Sequence, residues 1–192
     1  NRSSTRPDRP SARSARSATR SAPVIESVQE ALAACSAEIE SEAVRVEVRV
    51  PSELEVSGDL ESIVQALVNL VRNAVEAIVA AGHDGGSIRI DAGMRERLGA
   101  DGCRTPMICI AVEDSGTGFD PAIMDRVFTP FVTTRASGTG LGLAIVHRIA
   151  DAHGGAVRIE RSSLGGARVE LLLPRCGEQQ SGDDPRSESW AA

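Results

Sequence analysis

Two glycine clusters separated by a pair of phenylalanines constrain this chain more than any other feature. Asp114, Gly116 and Gly118 make the first cluster, Gly138, Gly140 and Gly142 the second, and Phe128, Pro130 and Phe131 lie between them. An apolar run, Met107–Val112, leads into the first cluster and reads as a buried strand. The second opens a helical pattern that starts at Leu143. Glycine lets a backbone adopt positive φ and come close to a ligand. A helix start presents unpaired N–H groups and the positive end of a dipole to an anion. A carboxylate at one end and helix-start amides at the other therefore suggest a nucleotide site, with the acid facing a base and the amides facing phosphates.

The common phosphate loops do not account for this pattern. A Walker loop needs Gly-Lys-Ser/Thr, and the chain contains no lysine. A dinucleotide fingerprint needs G-x-G-x-x-G directly after a strand. Here the spacing is G-x-G-x-G and the segment before it, Thr133–Ser137, is polar. A glycine cluster alone is also what a flexible turn looks like, and a third element separates the two.

That element is the helical stretch Asp59–Ala81. Asp59 suits an N-cap, and most residues after it are aliphatic. Yet Gln65, Asn69, Asn73 and Glu76 recur at spacings that place them on one helix face, with Arg72 beside them. Glu and Arg are ordinary on a solvated face. Asn is a mediocre helix former because it competes for backbone hydrogen bonds, so two of them one turn apart among aliphatics point to a site.

The rest of the chain supplies a scaffold. Residues 1–23 are rich in Ser, Arg and Ala and read as a disordered arm, and residues 175–192 as a disordered polar tail. Val24–Ile39 has helical spacing, and Val44–Val50 alternates as a half-buried strand ended by Pro51. Residues 52–58 read as a connection. Ser87–Ala92 and Met107–Glu113 read as strands joined by a polar loop, and Ala156–Arg161 and Ala167–Leu173 as a hairpin around Leu164-Gly165-Gly166. The expected fold is an α/β two-layer sandwich, a mixed and mostly antiparallel sheet with helices on one face. The net charge is −6 although residues 1–22 hold six Arg and one Asp, so the body is acidic and a poor general binder of nucleic acid. The four Cys show no zinc-ligand spacing and read as free thiols of a reducing cytosol. No stretch reads as a membrane span of about 20 apolar residues, and no membrane contact is expected.

Together these segments resemble the ATP-binding catalytic domain of two-component sensor histidine kinases, a member of the group that includes gyrase, a heat-shock chaperone family and mismatch-repair ATPases (the Bergerat ATP-binding fold). The resemblance covers about residues 24–174. Asn69-Leu-Val-Arg-Asn73 is similar to the family's N box, Asp114-Ser-Gly-Thr-Gly118 to its first glycine box, and Gly138-Thr-Gly-Leu-Gly-Leu143 to its second. Val127-Phe-Thr-Pro-Phe131 with Thr133-Thr134-Arg135 resembles its F box and lid start. The resemblance implies ATP and Mg²⁺ as ligands. Asp114 would accept from the adenine amine, with Gly116 and Gly118 letting backbone approach the base. Asn73, with Asn69 beside it, would ligate Mg²⁺. Gly138, Thr139, Gly140, Leu141 and Gly142 would border the phosphates, with Arg72, Phe128 and Thr134 contributing to the ATP site and a mobile lid over Thr133–Thr139. Catalytic roles would fall on Asn69, Asn73 and Arg135, the last standing where many relatives carry Lys.

The chain departs from that pattern in two places. The family's phosphoacceptor histidine sits in a separate helical hairpin, whereas His83 lies in a glycine-rich turn and His147 and His153 belong to the nucleotide domain. His153, at a helix C-terminus, suits a positive imidazole facing the dipole. Hydrolytic relatives carry a water-activating Glu where this chain has Asn69, and an amide cannot act as general base. The expected reaction is γ-phosphoryl transfer to a histidine on an upstream dimerisation and phosphoacceptor domain, with a response regulator downstream, in the cytoplasm. The alternatives are a stand-alone relative, either an anti-sigma-type serine kinase or an ATP-binding interaction module, and a hydrolytic ATPase.

Overall fold

The computed structural model describes residues 20–82, 85–98, 102–132 and 140–175. Its elements are β1 (Arg20–Pro23), α1 (Val24–Ala34), α2 (Ser36–Ser41), β2 (Val44–Arg49), β3 (Glu55–Gly58), α3 (Leu60–Ala80), β4 (Gly86–Leu98), β5 (Arg104–Asp114), a 3-10 turn (Pro121–Arg126), α4 (Gly142–Ala152), β6 (Ala156–Arg161) and β7 (Ala167–Pro174). Five strands form one sheet in the order β2-β4-β5-β7-β6, and β1 pairs with β3 in a second, two-stranded sheet. Only β2 with β4 is parallel in the larger sheet. This is the mixed, mostly antiparallel sheet expected from sequence, with α1, α3 and α4 packed on one face.

Helix α3 is the centre of the packing. Ile63, Leu67, Leu70 and Val71 are at most 2% exposed and join Val28 of α1, Val146 of α4 and the inward residues Ile108 and Ile110 of β5. Removing such aliphatic surface from water is worth about 1.5–3 kcal/mol per side chain. By length and composition α3 also passes as a membrane-spanning helix, contrary to the sequence expectation, but 56% of its apolar window is buried inside the fold. Length and hydropathy cannot tell a bilayer helix from a core helix.

Three sequence expectations are corrected. Arg20–Pro23, assigned to the arm, and Glu55–Gly58, assigned to a connection, pair antiparallel as β1 and β3. The helix expected over Val24–Ile39 is two helices, broken at Cys35 with φ −109°. His153 does not carry a positive imidazole toward the dipole. Its Nε2 accepts the Asp59 N–H at 3.1 Å while Nδ1 lies 2.8 Å from the Ile149 carbonyl oxygen. Those partners need a neutral ring protonated on Nδ1, so His153 ties the end of α4 to the start of α3. Asp59 stands at the N-cap, and its carboxylate accepts from Ser62 Oγ at 2.7 Å. Cys35 and Cys109 are buried free thiols, and burial pushes Cys109 up to about 11.

Candidate nucleotide-binding site

Asp114 ends β5, and strand alternation turns its side chain toward the helix layer. It is 5% exposed. Its Oδ1 accepts the Gly116 N–H at 2.8 Å and the Ala167 N–H at 3.2 Å. These two donors hold the carboxylate in one orientation. The Asp114 carbonyl accepts from the Gly166 N–H at 3.1 Å. A Cβ on Gly166 would overlap Asp114 Oδ1, so only glycine lets the β6–β7 turn press against the first glycine cluster.

The other side of that cluster packs on α3. A Cβ on Gly116 would overlap the Ala77 carbonyl, and the Thr117 N–H donates to Ala77 O at 3.2 Å. Gly118 takes φ +70°. The polar stripe of α3 faces the same space. Asn69 and Asn73 are half-buried on it, and Gln65 and Glu76 are exposed. Asn69 Nδ2 donates to the Gln65 carbonyl at 2.8 Å, which makes Oδ1 the outward end of that amide. Gly142 opens α4 against this stripe, where a Cβ would sit 3.1 Å from both Asn73 amide heteroatoms. The two glycine clusters and the N box thus meet because glycine lets each backbone close on α3.

Between them lies a cleft of about 980 Å³, lined among others by Asn69, Arg72, Asn73, Asp114, Gly118, Gly140, Leu141 and Gly142. That volume suits a nucleotide-sized ligand. Gly116 lies behind the wall, against Ala77. Phe128 is also outside the lining. Its ring packs on His147 of α4, with centroids 4.9 Å apart. Thr134, Arg135, Gly138 and Thr139, and the lid expected over Thr133–Thr139, lie outside the described residues, as does His83. Phe131 is 77% exposed with φ +66°, and its N–H donates to Gly140 O at 3.0 Å.

Sequence reasoning missed part of the wall. Phe119, Ile123 and Val127 supply apolar surface, and Glu38, Ser41 and Glu42 line the cleft from α2 and its end. The backbone amides of Gly166 and Ala167 were also missed; the signal was the Gly-Gly pair, legible as a hairpin turn but not as a support for Asp114. The described wall is acidic: Glu38, Glu42, Glu76 and Asp114 stand against Arg72, which pairs with Glu38 at 3.3 Å. A triphosphate entering such a wall calls for an accompanying cation.

The comparison with known proteins agrees with this geometry. Residues 58–176 match the family model described as histidine kinase-, DNA gyrase B- and HSP90-like ATPase. The chain belongs to this family. Within it, the chain is similar to sensor histidine kinase ZraS of Salmonella typhimurium strain LT2, 37% identical over 125 residues, covering 65% of this chain and 24% of the relative. It is 37% identical over 139 residues to nitrogen regulation protein NtrY of Azorhizobium caulinodans, covering 70% of this chain and 17% of the relative. The chain therefore spans less than a quarter of the length of these curated relatives. Among solved structures it resembles the catalytic domain of histidine kinase ThkA, with TM-score 0.68, 26% identity and coverage of 82% of this chain and 95% of that one. It also resembles the ATP-binding domain of PrrB from Mycobacterium tuberculosis, with TM-score 0.58, 27% identity and coverage of 82% and 97%. This histidine kinase-like ATPase is thus an ATP-binding catalytic domain of the sensor-kinase type. Its family match starts at Gly58, so β1, α1, α2 and β2 are packed around the matched core from outside it.

Proposed function

We propose that this domain binds ATP with Mg²⁺ and passes the γ-phosphoryl to a histidine on a separate helical domain of the same kinase, for onward transfer to a response regulator. The observation that carries this reading is the convergence of Asp114, Asn73 and Gly142 on one cleft. Asp114 accepts two N–H bonds on Oδ1, which orient its carboxylate on the cleft to take the adenine amine. That selects adenine over guanine, which offers a carbonyl at the same place.

The residues present fit a magnesium ion. Asn69 and Asn73 offer hard amide oxygens on an acidic wall, and Mg²⁺ keeps water and phosphate as most of its ligands. When bound, the ion would neutralise charge on the β- and γ-phosphates. Asn69 and Asn73 would hold it against α3, Gly140, Leu141 and Gly142 would border the phosphates at the start of α4, and Arg135 would meet a phosphate oxygen. The P–O bond to ADP breaks as the P–N bond to the acceptor imidazole forms, and positioning supplies most of the catalysis. Asn69 cannot take a proton from water, which favours transfer over hydrolysis. Such a donor works where ATP is available, in the cytoplasm.

Calorimetry tests the nucleotide assignment. Asp114→Ala is expected to weaken ATP binding by about 1.5–3 kcal/mol, the usual loss of a hydrogen bond to a charged group. Unchanged affinity would overturn the role given to Asp114.

A further inference from the structure

Glu113 and Asp114 are neighbours on β5, so their side chains leave opposite faces of the sheet. Asp114 faces the cleft. Glu113 faces away from it and is only 4% exposed. Its Oε2 accepts three hydrogen bonds: Ser162 Oγ–H at 3.0 Å, Ser163 N–H at 3.1 Å and Ser163 Oγ–H at 3.0 Å. Its Oε1 pairs with the Arg168 guanidinium, which also meets Glu170 at 2.9 Å. A carboxylate that satisfies four donors at once fixes what those donors belong to, here the turn between β6 and β7 and Arg168 at the start of β7.

The turn is closed by the same groups. Ser162 Oγ, while donating to Glu113, accepts the Leu164 N–H at 2.9 Å. The Ser162 N–H donates to Gly166 O at 2.9 Å. Gly166 and Ala167 then deliver their N–H groups to the Asp114 carbonyl and Asp114 Oδ1. An unbroken path runs from Glu113 through the Ser162–Gly166 turn to the Asp114 carboxylate, and it crosses the sheet. Glu113 and Ser162 are not among the residues that line the cleft.

We infer that Glu113 and Ser162 are positioning residues for base recognition: they hold the β6–β7 turn so that the Ala167 amide sets the Asp114 carboxylate for the adenine amine. This rests on the reading of Asp114 as the acceptor for that amine. A glutamine at 113 keeps the shape but replaces one acceptor oxygen with an NH₂ donor, so either the Arg168 pair or the Ser162 and Ser163 bonds fail. An alanine at 162 removes both the bond to Glu113 and the acceptor for Leu164. Either change loosens the turn and lets Asp114 Oδ1 rotate.

Calorimetry with two ligands separates positioning from general stability. The ligands are ATP and purine riboside triphosphate, which has the same sugar and phosphates but lacks the exocyclic amine. The parent chain is expected to prefer ATP, and Asp114→Asn to lose the preference. Glu113→Gln and Ser162→Ala, checked as folded by circular dichroism, are expected to weaken ATP about tenfold, in line with a lost charged hydrogen bond. Both should leave the analogue's affinity unchanged, and Ser162→Thr, which restores a hydroxyl, should recover ATP. If the variants keep the parent's preference, or weaken both ligands alike, the positioning role is overturned while the Asp114 assignment stands. If the parent itself shows no preference, the Asp114 assignment falls and the positioning role falls with it.

Discussion

Asp114 was legible from sequence because an acid between a buried strand and two glycines has few structural uses. What sequence did not show is how it is held. Among its donors are the N–H of Gly116, two residues on, and that of Ala167, which the sheet pairing brings near. The ring direction of Phe128 was not legible: its motif position places it by the ATP site, and its ring packs on His147, since a motif position does not say which way a ring turns. Glu113 was invisible as a functional residue for the same reason, because nothing local distinguishes it from any charged strand residue. Burial pushes its carboxyl up, but hydrogen bonds from Ser162, Ser163 and Arg168 outweigh this and hold it below the usual range. A depressed carboxylate contributes stability that is fully present above its unfolded value, about 4.3, and is lost as pH falls through the lower folded value. The melting-temperature gap between the parent chain and Glu113→Gln is therefore expected to be largest near pH 7 and to shrink as pH drops below about 4. A gap that stays constant over that range would mean Glu113 is not held as a charged acceptor.

At the scale of elements, α3 was the most legible because a long apolar pattern interrupted by one polar stripe has a single helical solution. Short elements were not. β1 and β3 are four residues each, contain Pro23 and Gly58, and form by pairing with each other, with Val56 of β3 also bridged to Arg175. Cys35 breaks α1 from α2 without a Gly or Pro to announce it. The join of α3 to α4 through His153 and Asp59 was likewise hidden, since the two residues are 94 positions apart. The stripe makes a prediction of its own. Asn73 stands on a helix whose core residues, such as Leu67 at 1% exposure, carry the stability. Asn73→Ala is thus expected to abolish phosphoryl transfer while the far-ultraviolet circular dichroism stays native, whereas Leu67→Ala is expected to cost about 2–5 kcal/mol of stability. Transfer at the parent rate by Asn73→Ala would remove Asn73 from the metal site.

The whole molecule is a nucleotide cleft built between one helix layer and the end of one sheet. The two layers and the mainly antiparallel sheet were readable from strand and helix patterns, while the parallel β2–β4 pair and the cleft's acidic α2 wall required the tertiary fold. The described histidines are committed to the domain itself: His147 packs on Phe128 and lies 3.1 Å from Asp151, and His153 bridges α3 and α4. Neither is placed as an acceptor, and Asn69 offers no base to water, leaving Glu76 as the carboxylate on that stripe with any claim. The most direct test of the account is to incubate the purified chain with ATP labelled at the γ-phosphate, first alone and then with the helical histidine domain of its own kinase. Acid-labile label is expected on the added domain only. Label on this chain, or ATP turnover near about 1 per second without an acceptor, at the lower edge of typical enzyme rates, would contradict it.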